Sequence, residues 1–252
     1  MGVLSRVLRA DFLKMKHTVF FWIHIVMPII GIALFLGYYS FSNFASINKA
    51  SGYIQVLSIT FPLLISIVSS FVVEQEALAG NFTELLSTEY GRRKAFISKV
   101  CLLLICGFCS TILAVFGFAA GFHFLLGQNE LPLSFYVEIS FVLFGCQIFM
   151  YLFHLFLNFR FSKGASIGVG IMESLLAALM YTGLGDVIWK YMPCAWGMRL
   201  SNSFFTYRLN PDSFHALLVD IQMGVVICIC STIIAFVISL IWFSYYEGRK
   251  EM

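Results

Sequence analysis

The chain has 252 residues, 60% of them hydrophobic and 12% charged, with a formal net charge of +3 and a mean hydropathy of +0.89. That balance excludes an ordinary soluble domain, and the apolar runs with their short connections leave no room for a separate soluble catalytic domain. The expectation is one all-α, polytopic membrane domain over 1–252.

The first 18 residues, MGVLSRVLRADFLKMKHT, are charged and mildly amphipathic. On a helical wheel Val3, Leu4, Val7, Leu8, Phe12 and Met15 share a broad face, opposite Arg6, Arg9 and Lys16; Asp11 and Leu13 break the pattern. Two readings stay open: a helix lying in the membrane interface over 1–18, or a positive flank that anchors the first span. That first apolar run, 19–39, is too long for a cleavable signal peptide and has no convincing small-x-small site after it.

Six spans are predicted, over 19–39, 54–73, 100–126, 136–159, 165–187 and 216–243. The lengths follow from a helical rise of about 1.5 Å per residue against roughly 30 Å of hydrocarbon. With both termini inside, the internal segments carry Arg6, Arg9, Lys14, Lys16, Arg92, Arg93, Lys94, Lys99, Arg160, Lys163, Arg249 and Lys250, and the external ones Lys49, Lys190, Arg199 and Arg208. Twelve against four sets the orientation. Seven cysteines do not form a disulfide framework: Cys101, Cys106, Cys109, Cys146, Cys228 and Cys230 fall in apolar runs and read as small packed hydrophobes, while Cys194 falls in an external segment.

Between the second and third spans the charge density rises sharply. VVEQEALAGNFTELLSTEYGRRKAFISK, residues 72–99, holds four glutamates and four Arg/Lys. Leu78, Phe82, Leu85 and Leu86 recur at helical spacing, which predicts a short helix over 77–86 with one apolar face. Glu74 and Glu76 fall near its start, where the helix dipole favours carboxylates, and Gly91 allows a turn before Arg92, Arg93 and Lys94 reach the headgroups. Such a helix can lie in the lipid interface or dock on a cytosolic partner, and periodicity does not choose. The Asn81-Phe82-Thr83 sequon falls on the predicted cytoplasmic side.

The segment over 185–215 is rich in aromatic residues: Trp189, Tyr191, Trp196, Phe204, Phe205 and Tyr207. It rests in the outer headgroups, caps the bundle or contacts a ligand. Within the fifth span Glu173 is costly in lipid, so it lines a substrate route, neutralises a basic group or sits near the interface. His24 and His154 are candidates for hydrogen bonds between helices, and the histidines together lack metal-ligand spacing. No Gly-rich loop ends in Gly-Lys-Ser/Thr, so ATP binding through a P-loop is not expected. The pairs Gly117-x-x-x-Gly121 and Gly164-x-x-x-Gly168 suit close helix packing.

Taken in order, Glu74 and Glu76, Gly80, Phe82, Leu85-Leu86-Ser87, Arg92-Arg93 and Lys99 make the charged stretch resemble the first cytoplasmic loop of the membrane subunits of ABC-2 type exporters. It departs from that pattern at Glu89-Tyr90-Gly91, where the family often has proline. The resemblance implies a six-span fold with an N-terminal interfacial helix, a coupling loop over 74–95 and a membrane-dipping external segment. It also implies that Glu74, Glu76, Ala77, Leu78, Gly80, Phe82, Leu85 and Leu86 couple to a separate ATPase subunit in two copies, which binds ATP and Mg while this chain binds no cofactor. Arg9 to Lys16, Trp22, His24, Pro28, Gly31 and Tyr38-Tyr39 look like the permeases of lantibiotic-immunity transporters, the MutG-like branch in particular. That narrower likeness implies a non-catalytic permease of a bacterial cell membrane, both termini cytoplasmic, that expels lantibiotic-like peptides. It further implies a second homologous permease or a homodimer, contact with membrane lipid and none with nucleic acid, and substrate contacts at Glu173, Trp189, Trp196, Phe204, Phe205 and Tyr207. The competing classes are an independent secondary transporter or channel, and an accessory membrane protein without transport activity.

Overall fold

The computed structural model describes residues 2–87 and 90–249; Glu89 and Lys250 lie outside them. In chain order the helices are α1 (Val3–Met15), α2 (Phe20–Phe41), α3 (Ser46–Leu78), α4 (Thr83–Leu86), α5 (Arg92–Phe124), α6 (Leu133–Arg160), α7 (Lys163–Leu179), α8 (Pro193–Leu209) and α9 (Pro211–Ser244). Among the described residues, five stretches are long and apolar enough to cross a bilayer: α2, α3, α5, α6 and Leu217–Ser244 of α9. The apolar runs mark what lies in lipid, and the helices continue beyond it. At 33 residues, α3 and α5 are each about 50 Å long.

The fifth expected span, 165–187, takes a different form. Its helix, α7, has 17 residues, about 26 Å, and ends at Leu179. Two 3₁₀ turns, Gly183–Gly185 and Trp189–Tyr191, then lead into α8. At 17 residues α7 is shorter than each of those five stretches, and Glu173 finds a partner within the bundle.

α3 is the central element, packing on α7, α6 and α8. α2 packs chiefly on α5, where Gly117 and Gly121 open the space. A Cβ at Gly121 would lie 2.2 Å from Leu36 Cδ1, and one at Gly117 2.6 Å from Ile32 Cδ1. The second predicted pair behaves differently: nothing lies within 4 Å of a Cβ at Gly168, and one at Gly164 meets only Ser162, the cap of its own helix, at 3.9 Å. α7 instead approaches α3 through Gly170, against Ser66 and the Pro62 carbonyl. At the far end of α2, the buried Lys49 donates to the Tyr39 carbonyl at 3.0 Å and to Gln128 at 2.8 Å. It thereby meets a helix-terminal carbonyl with positive charge.

α1 and the segment that follows α9 lie at one end of the bundle. α1 packs on α5, and Arg249 beyond α9 donates to Glu74 at the end of α3 at 3.1 Å. Leu8, Phe12 and Met15 of α1 join the core there, and so does Asp11, which had broken the amphipathic pattern.

Candidate functional site

The inward turn of Asp11 is explained by Lys99. Its Nζ, buried on α5, donates to Asp11 Oδ1 at 2.6 Å and also to Glu76 Oε1. Ser98 donates to the other Asp11 oxygen, and Lys14 reaches Glu76 at 3.3 Å and Glu84 at 3.5 Å. Two carboxylates and two ammoniums therefore join α1, α3 and α5. Isolated charges at such depth would be prohibitive, whereas these are mutually neutralised. Burial opposes the charge on Lys14, but Glu76, with help from Glu84 and Asp11, holds its pKa above the ordinary lysine value.

This base supports a turn rather than the helix expected over 77–86. Ala77 and Leu78 complete α3, and α4 is a single turn, Thr83–Leu86. Gly80, Asn81 and Phe82 between them take positive φ, at 123°, 48° and 66°. Glycine tolerates that conformation, but phenylalanine does so at a cost. Burial of its ring offsets the cost: Phe82 is 1% exposed, packed near Phe159 and Tyr246, with the Arg249 guanidinium 5.3 Å from its ring centroid. The backbone is tied as well, Asn81 N–H donating to the Ala77 carbonyl at 2.8 Å and Phe82 N–H to that of Glu76 at 3.1 Å.

The expected coupling residues thus divide. Glu76, Phe82 and Leu85 are buried and hold the turn; Glu74, Ala77 and Leu86 are half-buried. Leu78 is 84% exposed, and Ala79, Gly80, Asn81, Thr83 and Glu84 share its exposed surface. Glu74 and Glu76 sit in the last turns of α3, not at a helix start, and direct ion pairs account for them. Lys99, Lys14, Asp11 and Ser98 were not singled out from the sequence as a site. The available signal was Asp11, a carboxylate on an apolar helix face that requires a partner.

The second group of expected residues is spread through the fold. Glu173 Oε2 accepts from His154 Nε2 at 2.8 Å, joining α7 to α6. His154 Nδ1 lies 3.0 Å from Ser166 Oγ, which also accepts from Asn158 at 2.9 Å. The pair meets the expectation of a hydrogen bond between helices for His154, while His24 bonds within its own helix, to the Phe20 carbonyl at 2.8 Å.

Trp196 and Phe205 are buried because α8 lies among α3, α6 and α9, and Trp189 is buried where its 3₁₀ turn packs on α8 and α9. Trp196 Nε1 donates to the Lys190 carbonyl at 2.7 Å, and Trp189 Nε1 to Asp220 on α9 at 3.0 Å. Phe204 is half-buried and Tyr207 exposed. Glu173 and these aromatics do not form one site. Phe204 and Tyr207 line an apolar groove of about 410 Å³ with Val142, Leu200, Phe214 and Val225.

A multi-pass helical membrane protein is thereby defined, with a short exposed loop carried on an ion-paired base. Among the described residues, no group of three His, Cys, Asp or Glu side chains could hold a metal ion. Residues 7–182 match the family described as ABC-2 family transporter protein, and the chain belongs to that family. Its members are non-catalytic membrane permeases that generally work with a separate ATPase subunit. No curated protein and no solved structure matches the chain. The matched region ends before α8 and α9, so the aromatic segment lies outside it.

Proposed function

We propose that this chain is a permease subunit of an ABC exporter in a bacterial cell membrane, with six crossings and both termini cytoplasmic. α7 supplies the short additional crossing. The convergence of α1 and Arg249 at one end of the bundle supports an even number.

The observation that carries the reading is the exposed Leu78–Glu84 surface on a buried base, within a chain of the ABC-2 family. An ATPase subunit, in two copies, docks there and binds ATP and Mg. The rigid base transmits its movement to α1, α3 and α5. Tagging the permease and extracting it gently should recover the ATPase. Leu78→Asp with Glu84→Lys should abolish recovery at equal permease abundance. Transport by this chain alone in proteoliposomes would overturn the reading.

We further propose lantibiotic-like antimicrobial peptides as the substrate, so that the transporter confers immunity or resistance. A second homologous permease, or a second copy, packs on the exposed face of α7 formed by Gly164, Gly168, Ile171 and Leu175. The competing reading, an independent secondary transporter or channel, gains something from an intramembrane Glu173, and that carboxylate is engaged by His154.

A further inference from the structure

Two buried polar side chains, each with one nitrogen that has no partner among the described residues, border the same small cavity. It measures about 30 Å³, lies among α2, α3, α5 and α6, and has His24, Ser110, Thr111, Gln147 and Tyr151 on its polar side. His24 is 8% exposed and Gln147 4%. His24 Nδ1 lies 2.8 Å from the Phe20 carbonyl, which can only accept, so Nδ1 carries a proton. Nε2 of the neutral ring is then an acceptor, and it has no partner among the described side chains and backbone. The Gln147 amide nitrogen is a donor and has none either.

The backbone adds to this demand. Pro28, one turn beyond His24 on α2, lacks the N–H that would otherwise bond the His24 carbonyl. In lipid no water is at hand to meet a polar group left in that condition, so such groups are met internally. Roughly 10–15 Å³ suffices for one water, and two to four polar partners hold it. The cavity is too small for a peptide side chain or lipid headgroup, and no carboxylate lines it to favour a cation. An acceptor beside a donor suits a neutral molecule able to do both.

We infer that water is bound in this cavity, donating to His24 Nε2 and accepting from the Gln147 amide. It connects α2 to α6 at the level of Pro28 without a direct side-chain bond. The inference stands independently of the substrate and ATPase assignments.

X-ray radiolysis footprinting of the full chain in nanodiscs tests it, because radicals formed from bound water oxidise adjacent side chains sheltered from bulk solvent. Tyr151 borders the cavity, whereas the similarly buried Tyr53 and Tyr136 do not. Tyr151 should be oxidised several-fold faster than those two, and the excess should vanish in the double variant His24→Leu/Gln147→Leu. Equal rates for the three tyrosines, or an excess that survives in a folded double variant, would overturn the inference. Should the variant not accumulate, the ¹⁵N shift of His24 Nε2 in the unmodified protein decides: a hydrogen-bonded acceptor supports bound water, and a free-acceptor value refutes it.

Discussion

Lys99 Nζ on α5 lies 2.6 Å from Asp11 Oδ1 on α1, with both side chains buried. Glu76 shares the same ammonium, so removing that one charge strands Asp11 and leaves Glu76 with Lys14 alone. Lys99→Met should therefore destabilise the protein by about 3–5 kcal/mol, the range for breaking a buried pair from one side. Combining Lys99→Met with Asp11→Asn and Glu76→Gln should restore much of the loss. Thermal unfolding of purified protein in detergent measures both. An unchanged midpoint in the single variant would refute the buried network.

The loop predicts a division of labour between neighbours. Phe82→Ala empties a buried aromatic site and should cost about 3–5 kcal/mol, seen as lower membrane abundance. Leu78→Ala on the exposed surface should leave abundance unchanged and weaken ATPase recovery. Equal effects of the two substitutions on abundance would show that the loop is not organised in this way.

Glycines sort by helix. Gly121→Val would force a side chain into Leu36 and should destabilise the α2–α5 contact by about 1–3 kcal/mol. Gly168→Val meets nothing in its own chain and should leave thermal stability unaltered. If the second permease packs on α7, Gly168→Val should reduce co-purification of two differently tagged permeases. Undisturbed pairing would remove α7 from the proposed interface.

The aromatic segment calls for a comparison between buried and exposed positions. Trp196→Leu removes the bond to the Lys190 carbonyl from a buried site, so protein and, on the proposed substrate, lantibiotic protection should fall together. Tyr207→Leu, at an exposed position beside the apolar groove, should retain abundance and lower protection several-fold against some peptides. Uniform protection by Tyr207→Leu across a panel of lantibiotics would exclude substrate contact there.

Composition and hydrophobic runs determined the class of this protein, and local charge determined where to look. Removing nearly 20 consecutive apolar residues from water overrides weaker preferences, so the long helices were legible from 19–39, 100–126 and 136–159. The family resemblance was equally legible, since Glu74 through Lys99 lies in one continuous segment. The tertiary structure decided what those residues touch. The spacing of Phe82 and Leu85 fits a helical face, but the preference is slight over so short a stretch. The pockets beside Phe159 and Tyr246, and the backbone bonds back to α3, outweigh it and impose a turn. Asp11 and Lys99 are 88 residues apart, and no local pattern encodes their meeting. Trp196 shows the same limit: an aromatic residue has the same sequence signature at a headgroup boundary as in a protein core. Burial distinguishes them, and burial is a property of the packed helices together.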